Sequence, residues 1–291
     1  MYSKAVNGWR LKQAIKRVLV ETPLRAVASP LHDLLRAAEL AVDHARPRPA
    51  PDTSLDDRLT AMIKTFERPA IVARLVESIR ERYPSLPIVV VDDSREPRPI
   101  AGVETVVLPF DGGVSAGRQA GLDRVRTPYI LVLDDDFIFS RATDLAPTLN
   151  RLARQPAIDI LGGLLVDLPL LRHRRPPVGP IFPTTAQPLV AIGSRVDGLL
   201  VCDKVTNFYI ARTDRLRLVG WDAALRRIDH ADFFTRALGV LVTAFDPDLK
   251  AFHAQTPFDR AYMSHRMNLQ HDRAILAARW QRRREPPHAH R

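Results

Sequence analysis

An α/β architecture, with a mostly parallel, twisted sheet flanked by helices, is what this chain predicts. Three observations carry that reading. From Arg58 onward, short runs of branched apolar residues alternate with stretches whose apolar residues recur at helical spacing. Several of the apolar runs stop abruptly at charged residues, most sharply at Asp134-Asp135-Asp136 after Ile130-Leu131-Val132-Leu133. The length of 291 residues with 46% hydrophobic content is enough to bury one good-sized core plus appendages.

Residues 1–57 read as a basic helical extension and linker. Leu11, Ala14, Ile15, Val18 and Leu19 share one helical face, with Lys12, Lys16 and Arg17 turned elsewhere. Ser29 and Pro30 suit the cap and first position of a second helix, whose stripe is Leu31, Leu34, Leu35, Ala38 and Ala41. A Pro- and Ala-rich linker follows at 45–52. The main domain spans 58–258, in two halves, 58–165 and 166–258. Its first half reads as strand 59–63, helix 68–82, strands 87–91 and 103–108, helix 112–125, strand 129–133, helix 145–154 and strand 158–165. Residues 169–188, dense in Pro and Arg, read as a loop or flap. A strand at 207–211, helices at 213–219 and 229–238 and a strand-like run at 241–245 complete the second half. Residues 259–291 form a basic helical tail.

The carboxylate triplet is the most informative chemistry. An extended strand tip would aim Asp134 and Asp136 one way and Asp135 the other. Neighbouring carboxylates at a dry strand end repel, and a cation is the usual remedy. A divalent ion held by one or two carboxylates keeps positions free for phosphate oxygens, so the triplet points to a metal–diphosphate site. Ligands of open α/β sheets bind beyond the carboxyl ends of the strands. There Thr65, Arg68, Asp92 and Asp93 join the triplet. Asp92 suits a ribose hydroxyl or a base N–H. The segment from Gly112 to Arg118 opens a helix with small residues, so a ligand can approach the backbone near Gly117, with Arg118 as a fixed cationic fork. It lacks the spacing of a dinucleotide fingerprint or a P-loop.

The single cysteine, Cys202, excludes an internal disulfide framework and reads as a structural thiol. A net charge of +10 allows anionic partners in general. No apolar stretch reaches the length of a membrane span, and no signal-peptide pattern opens the chain.

In order, Lys64-Thr65-Phe66, Val91-Asp92-Asp93-Ser94, Ala116-Gly117-Arg118, Leu133-Asp134-Asp135-Asp136-Phe137, Leu161-Gly162-Gly163, the segment from Val205 to Asp214, Val219-Gly220-Trp221-Asp222, His230-Ala231-Asp232-Phe233-Phe234 and Phe252-His253-Ala254 resemble the family 2 glycosyltransferases of GT-A fold. Within them the resemblance is to the β-1,4-N-acetylgalactosaminyltransferases that build gangliosides. It covers residues 58–256. It implies inverting transfer of GalNAc or another hexosamine or hexose from a UDP-sugar to a glycan or glycolipid hydroxyl, with Mn²⁺ or Mg²⁺ as cofactor. It makes 58–165 the nucleotide-sugar half and 166–258 the acceptor half. Thr65, Arg68, Asp92, Asp93, Gly117, Arg118, Asp134 and Asp135 would hold the donor nucleotide. Asp134 and Asp136 would be the metal-binding pair, with Asp136 the direct ligand and Asp134 nearer the ribose, and His253 a third ligand. Asp232 would be the base, with Asp229 as alternate, and Gly162, Gly163, Asn207 and Trp221 would line the acceptor or sugar pocket. The departures are Asp232 where glutamate is expected, Gln119 where asparagine is expected, and an unmatched 169–188. The animal relatives also have a membrane span and stem that the chain is not expected to contain.

A basic nucleic-acid binder competes on charge alone, but no aromatic platform or DNA-binding motif accompanies it, so nucleic acid is not an expected partner. An inactive sugar-nucleotide-binding relative would keep the fold without turnover. The setting predicted is the cytoplasm, with possible peripheral contact between the basic N-terminal helix and anionic lipid at the inner face of the membrane.

Overall fold

The computed structural model describes residues 22–281, so the helix predicted around residues 11–19 lies outside the described residues. Helix α1 (Arg25–His44) starts before Ser29, because the turn at Thr22-Pro23 nucleates it, and Pro30 falls inside. The helix docks at its C-terminal end. Leu40 packs on Ile138, Leu168 and Ala254, and buried Asp43 accepts the Arg141 N–H at 2.8 Å. Val27, Leu31 and Leu34 on the rest of the helix stay exposed.

The sheet is built from β1 (Leu59–Thr65), α2 (Pro69–Arg80), β2 (Ile88–Asp92), β3 (Glu104–Val107), α3 (Val114–Arg124) and β4 (Tyr129–Asp134). These strands lie parallel in the order β3-β2-β1-β4. Every residue of β1 is buried, because helices cover both faces, which is why it reads as an unbroken apolar run. Then come β5 (Phe137–Ile138), α4 (Ala146–Arg154), β6 (Ile160–Asp167), β7 (Arg172–Arg174), β8 (Arg195–Val196), β9 (Leu199–Val201) and β10 (Tyr209–Arg212). The chain continues through α5 (Thr213–Arg217), α6 (His230–Ala237), β11 (Thr243–His253), α7 (Arg260–Arg266) and α8 (Gln270–Gln281). Strand β10 sits antiparallel between β4 and β6, and β11 runs parallel to β6.

Two apolar clusters flank the sheet, one around Leu75, Ile79, Leu133 and Phe208, the other around Met62, Leu122, Val132 and Phe233. Register decides what meets at the strand ends. Lys64 pairs with Asp134 and Thr65 with Asp92, while on the other side His253 pairs with Asp167.

Three elements differ from the sequence reading. Strand β11 runs through to His253 rather than stopping near 245, since a register shift between Phe245 and Lys250 places charged residues mid-strand and breaks the apolar pattern. Part of the 169–188 loop forms β7 on the edge of β6. The β8–β9 hairpin turns on Asp197-Gly198, whose φ values of 51° and 76° are those of a type I′ turn.

Candidate active site

A cleft of about 380 Å³ opens where the ends of β1, β4, β6 and β11 meet the start of α6 and the helix α7. Its floor is a set of paired charges. Lys64, pulled to a lower pKa by burial against the opposing pull of Asp93, donates to Asp93. Asp93 in turn accepts the Gly113 N–H at 2.8 Å, tying the β2 end to the opening of α3. Arg68 grips Asp135, with Nε at 3.2 Å, and Thr65 Oγ1 donates to the same carboxylate at 2.8 Å. Arg118, fully buried, bridges Asp134 and Asp229.

Strand alternation does not carry through the triplet. Strand β4 ends at Asp134 and residues 135–136 form a turn, so all three carboxylates line the cleft. Asp135 does not point away as an extended tip would have it. Asp134 takes Arg118 and, at 3.4 Å, the Asn207 amide.

Asp136 and His253 form the other end of the floor. His253 Nδ1 is 2.7 Å from Asp167 Oδ1, and its Nε2 faces Asp136 Oδ1 at 3.5 Å. That Asp136 oxygen is buried and takes no hydrogen bond. Burial disfavours charge on both groups, but Asp136 and Asp167 together raise His253 to about 9, and His253 and Arg68 hold Asp136 well below the usual carboxylate range. No group of three or more His, Cys, Asp or Glu is gathered as a metal cage among the described residues. The Asp136 oxygen without a hydrogen bond and the His253 ring, oriented by the carboxylate behind it, are nevertheless donor types that would suit a divalent ion.

Asp229, at the start of α6, lines the cleft; burial pushes its carboxyl up despite Arg118. His230 beside it bonds the Val205 carbonyl at 2.6 Å and is pulled down to about 3 by burial.

Several residues singled out in the sequence are elsewhere. Asp232 does not line the cleft; it is 1% exposed and accepts from Arg236 Nε at 2.8 Å, Arg279 Nη1 at 2.8 Å and Trp280 Nε1 at 3.1 Å. One helical turn past Asp229, its carboxylate faces α8. Gly162 and Gly163 are packing residues, where an added Cβ would meet Val205 at 2.3 Å and Phe208 at 2.6 Å. Trp221 is buried against Phe233, ring centroids 5.0 Å apart. Gly117 makes room for the Lys64 chain, whose Cδ a Cβ would meet at 2.1 Å, and not for a ligand. Asp92 lies behind the cleft wall, holding the Ser94 N–H at 2.8 Å. Cys202 is buried, its thiol pushed up to about 12 chiefly by that burial, as fits a structural role.

The structure also adds residues. Asp167 ends an apolar run, as Asp92 and Asp134 do, and that signal could have marked it. Tyr262, His265 and Arg266 reach the cleft from α7, with the Arg68 guanidinium 3.7 Å from the Tyr262 ring centroid. Nothing in their spacing says where that helix lands.

A parallel half-sheet continued by antiparallel and parallel strands, with a carboxylate-rich cleft at its strand ends, is the GT-A class of nucleotide-sugar fold. Solved structures agree. TarS of S. aureus (residues 1–349) superposes with a TM-score of 0.51 at 17% identity, over 68% of this chain and 60% of that one. The same protein in complex with UDP-GlcNAc gives 0.52 at 17% identity, over 68% and 59%. Residues 60–188 match the family described as glycosyl transferase family 2, and the chain therefore carries a family 2 glycosyltransferase domain. Human β-1,4 N-acetylgalactosaminyltransferase 1 is 33% identical over 218 residues, 67% of this chain and 39% of that protein. Mouse β-1,4 N-acetylgalactosaminyltransferase 2 is 33% identical over 215 residues, 72% of this chain and 42% of that protein. The chain thus spans about two-fifths of the length of these relatives.

Proposed function

We propose that this protein is a metal-dependent, inverting glycosyltransferase that moves a hexosamine, GalNAc or a related sugar, from a UDP-sugar to a hydroxyl of a glycan or lipid-linked acceptor. The observation that carries the reading is the division of labour across one cleft. Asp136 and His253 meet at one end, with Asp136 Oδ1 buried without a hydrogen bond 3.5 Å from His253 Nε2, while Asp229 stands at the start of α6 with a carboxyl raised by burial. The relatives support a hexosamine, and the TarS complex supports a UDP-linked one.

Asp136 and His253 would hold Mn²⁺ or Mg²⁺, which supplies charge neutralisation for the diphosphate as it leaves. Asp167 fixes the His253 ring by its hydrogen bond. Lys64, Arg68 and Arg118 hold Asp93, Asp135 and Asp134 in place, so the donor meets a wall whose carboxylates are already neutralised. Asp229, rather than Asp232, is the base that takes the proton from the attacking hydroxyl. A raised carboxyl pKa makes a better proton acceptor once ionised, and Arg118 keeps it in the ionised form and aimed. Displacement at the anomeric carbon then inverts an α-linked donor to a β-linked product.

Contact with anionic membrane, at the inner face in a cytoplasmic setting, remains part of the proposal for the basic residues 1–21. Among the described residues no helix is long and apolar enough to cross a membrane. The test of the whole reading is a thermal-shift panel of nucleotide sugars with and without Mn²⁺. Stabilisation by UDP-sugars that needs the metal supports it, and equal stabilisation in EDTA overturns it.

A further inference from the structure

We infer that Asp272, in the first turn of α8, is a positioning residue for Asp229, so that the C-terminal helix sets the geometry of the proposed base. The inference rests on that assignment of Asp229. Asp272 is completely buried, and its two oxygens accept three successive backbone N–H groups, Arg226 at 3.0 Å, Arg227 at 2.6 Å and Ile228 at 2.7 Å. Three consecutive amides converging on one carboxylate form an anion-binding nest, here filled from within the chain. The next residue is Asp229.

The same segment is held from the opposite side. The Arg226 carbonyl accepts the Val114 N–H at 2.9 Å, and Gly113, with φ at 102°, leaves room for it, since a Cβ there would meet Arg226 Cα at 2.6 Å. One turn along α3 from Val114 is Arg118, the partner of Asp229. Past Asp229, Arg279 and Trp280 of α8 hold Asp232. Helix α8 therefore grips the chain on both sides of Asp229, and it is seated by Leu276 and Trp280 against Leu225. An ordinary helix-docking contact needs one buried apolar face. It does not need a buried carboxylate that fixes three adjacent peptide planes directly before a cleft residue.

The test compares Asp272→Asn with Leu276→Ala, which loosens the seat of α8 without touching the nest. UDP release from UDP-GalNAc, or whichever UDP-hexosamine the wild type turns over, gives kcat, and calorimetry with UDP and Mn²⁺ gives nucleotide affinity. In Asp272→Asn an NH₂ replaces one acceptor and confronts an amide donor, so the segment must shift. Misplacement of a reacting group by about 1 Å costs on the order of 100-fold, so kcat should fall by roughly 10- to 100-fold, with UDP affinity close to wild type. Leu276→Ala should keep most of its kcat despite a lower melting temperature. Where Asp272→Asn does not accumulate as folded protein, Asp272→Glu keeps the charge but displaces the carboxylate, and the same fall is expected. Normal kcat in a folded Asp272 variant, or an equal loss in Leu276→Ala, overturns the inference. If the wild type itself releases UDP from no nucleotide sugar, the proposed function fails instead, which separates the two.

Discussion

Exchanging the two α6 carboxylates for amides, one at a time, separates chemistry from architecture. In Asp229→Asn the proton acceptor is gone while Arg118 keeps an oxygen to bond, so turnover should fall by roughly 10²–10⁴-fold with UDP affinity little changed. Asp232→Asn should do the reverse. Its carboxylate serves Arg236, Arg279 and Trp280 from a buried position, and an amide supplies one acceptor oxygen where two are in use. Removing one side of a buried charge pair costs about 3–5 kcal/mol. The arginine side chains here are 25% and 27% exposed, so water recovers part of that, and about 2 kcal/mol is a fair expectation. For a domain of this size that lowers the melting temperature by roughly 4–8 °C. Kinetics of UDP release alongside thermal unfolding read both quantities. Full turnover in Asp229→Asn together with a dead but normally stable Asp232→Asn would refute the assignment and restore Asp232 as the base.

Three further outcomes follow from the cleft. Saturating UDP at about 100 times Kd should add roughly 2.7 kcal/mol of stability with Mn²⁺ present, and Asp136→Ala should abolish the metal-dependent part in a melting assay. Asp167→Asn, which removes the carboxylate behind His253, should weaken metal binding by about 10–100-fold in titration calorimetry, and unchanged affinity would show that the 2.7 Å contact does not orient the ring. Burial raises the Asp229 carboxyl, and the base works only when ionised; activity should therefore be full above that raised pKa and fall as pH drops through it, with a midpoint above the ordinary 3.9 or so. A rate that stays flat down to that ordinary value would count against Asp229.

How legible the molecule was in its sequence differs between fold and site. The parallel strands announce themselves because both of their faces are covered, so β1, β2 and β4 read as apolar runs with sharp ends. Strand β11 hid because charged residues interrupt it where the register shifts. The β8–β9 hairpin went unread although Asp197-Gly198 is the residue pair such a turn favours. For the site, strand ends were informative and helix turns were not. Asp136 and His253 both line the cleft, one just past the end of β4 and the other at the end of β11, whereas the choice between Asp229 and Asp232 depends on the rotation of α6 against α8. Glycines misled for a related reason. Gly117, Gly162 and Gly163 permit close approach, but what approaches is Lys64, Val205 and Phe208. Sequence shows that space is needed at such positions, and only packing shows which atoms use it.

The pairing pattern explains how so many carboxylates coexist in one partly dry cleft. Asp93, Asp134, Asp135 and Asp229 each have a buried Lys or Arg partner, and those pairs cross between elements: Lys64 to the end of β2, Arg68 to the turn after β4, Arg118 to both β4 and α6. Burying such ions is costly, and a buried pair seldom adds net stability. What the pairs contribute is placement, since each long cationic chain fixes two backbone segments at once. Asp136 is the exception. Its arginine neighbour, Arg68, stands 3.6 Å from Oδ2 and is already committed to Asp135, while Oδ1 is buried without a hydrogen bond, 3.5 Å from the His253 imidazole. An unsatisfied buried carboxylate oxygen is unfavourable on its own, and it persists here because the neighbouring charges are held in place by partners elsewhere. A divalent cation at that oxygen would relieve the cost and at the same time bind a diphosphate. A buried carboxylate oxygen without a hydrogen bond is therefore the atom on which the proposed chemistry turns.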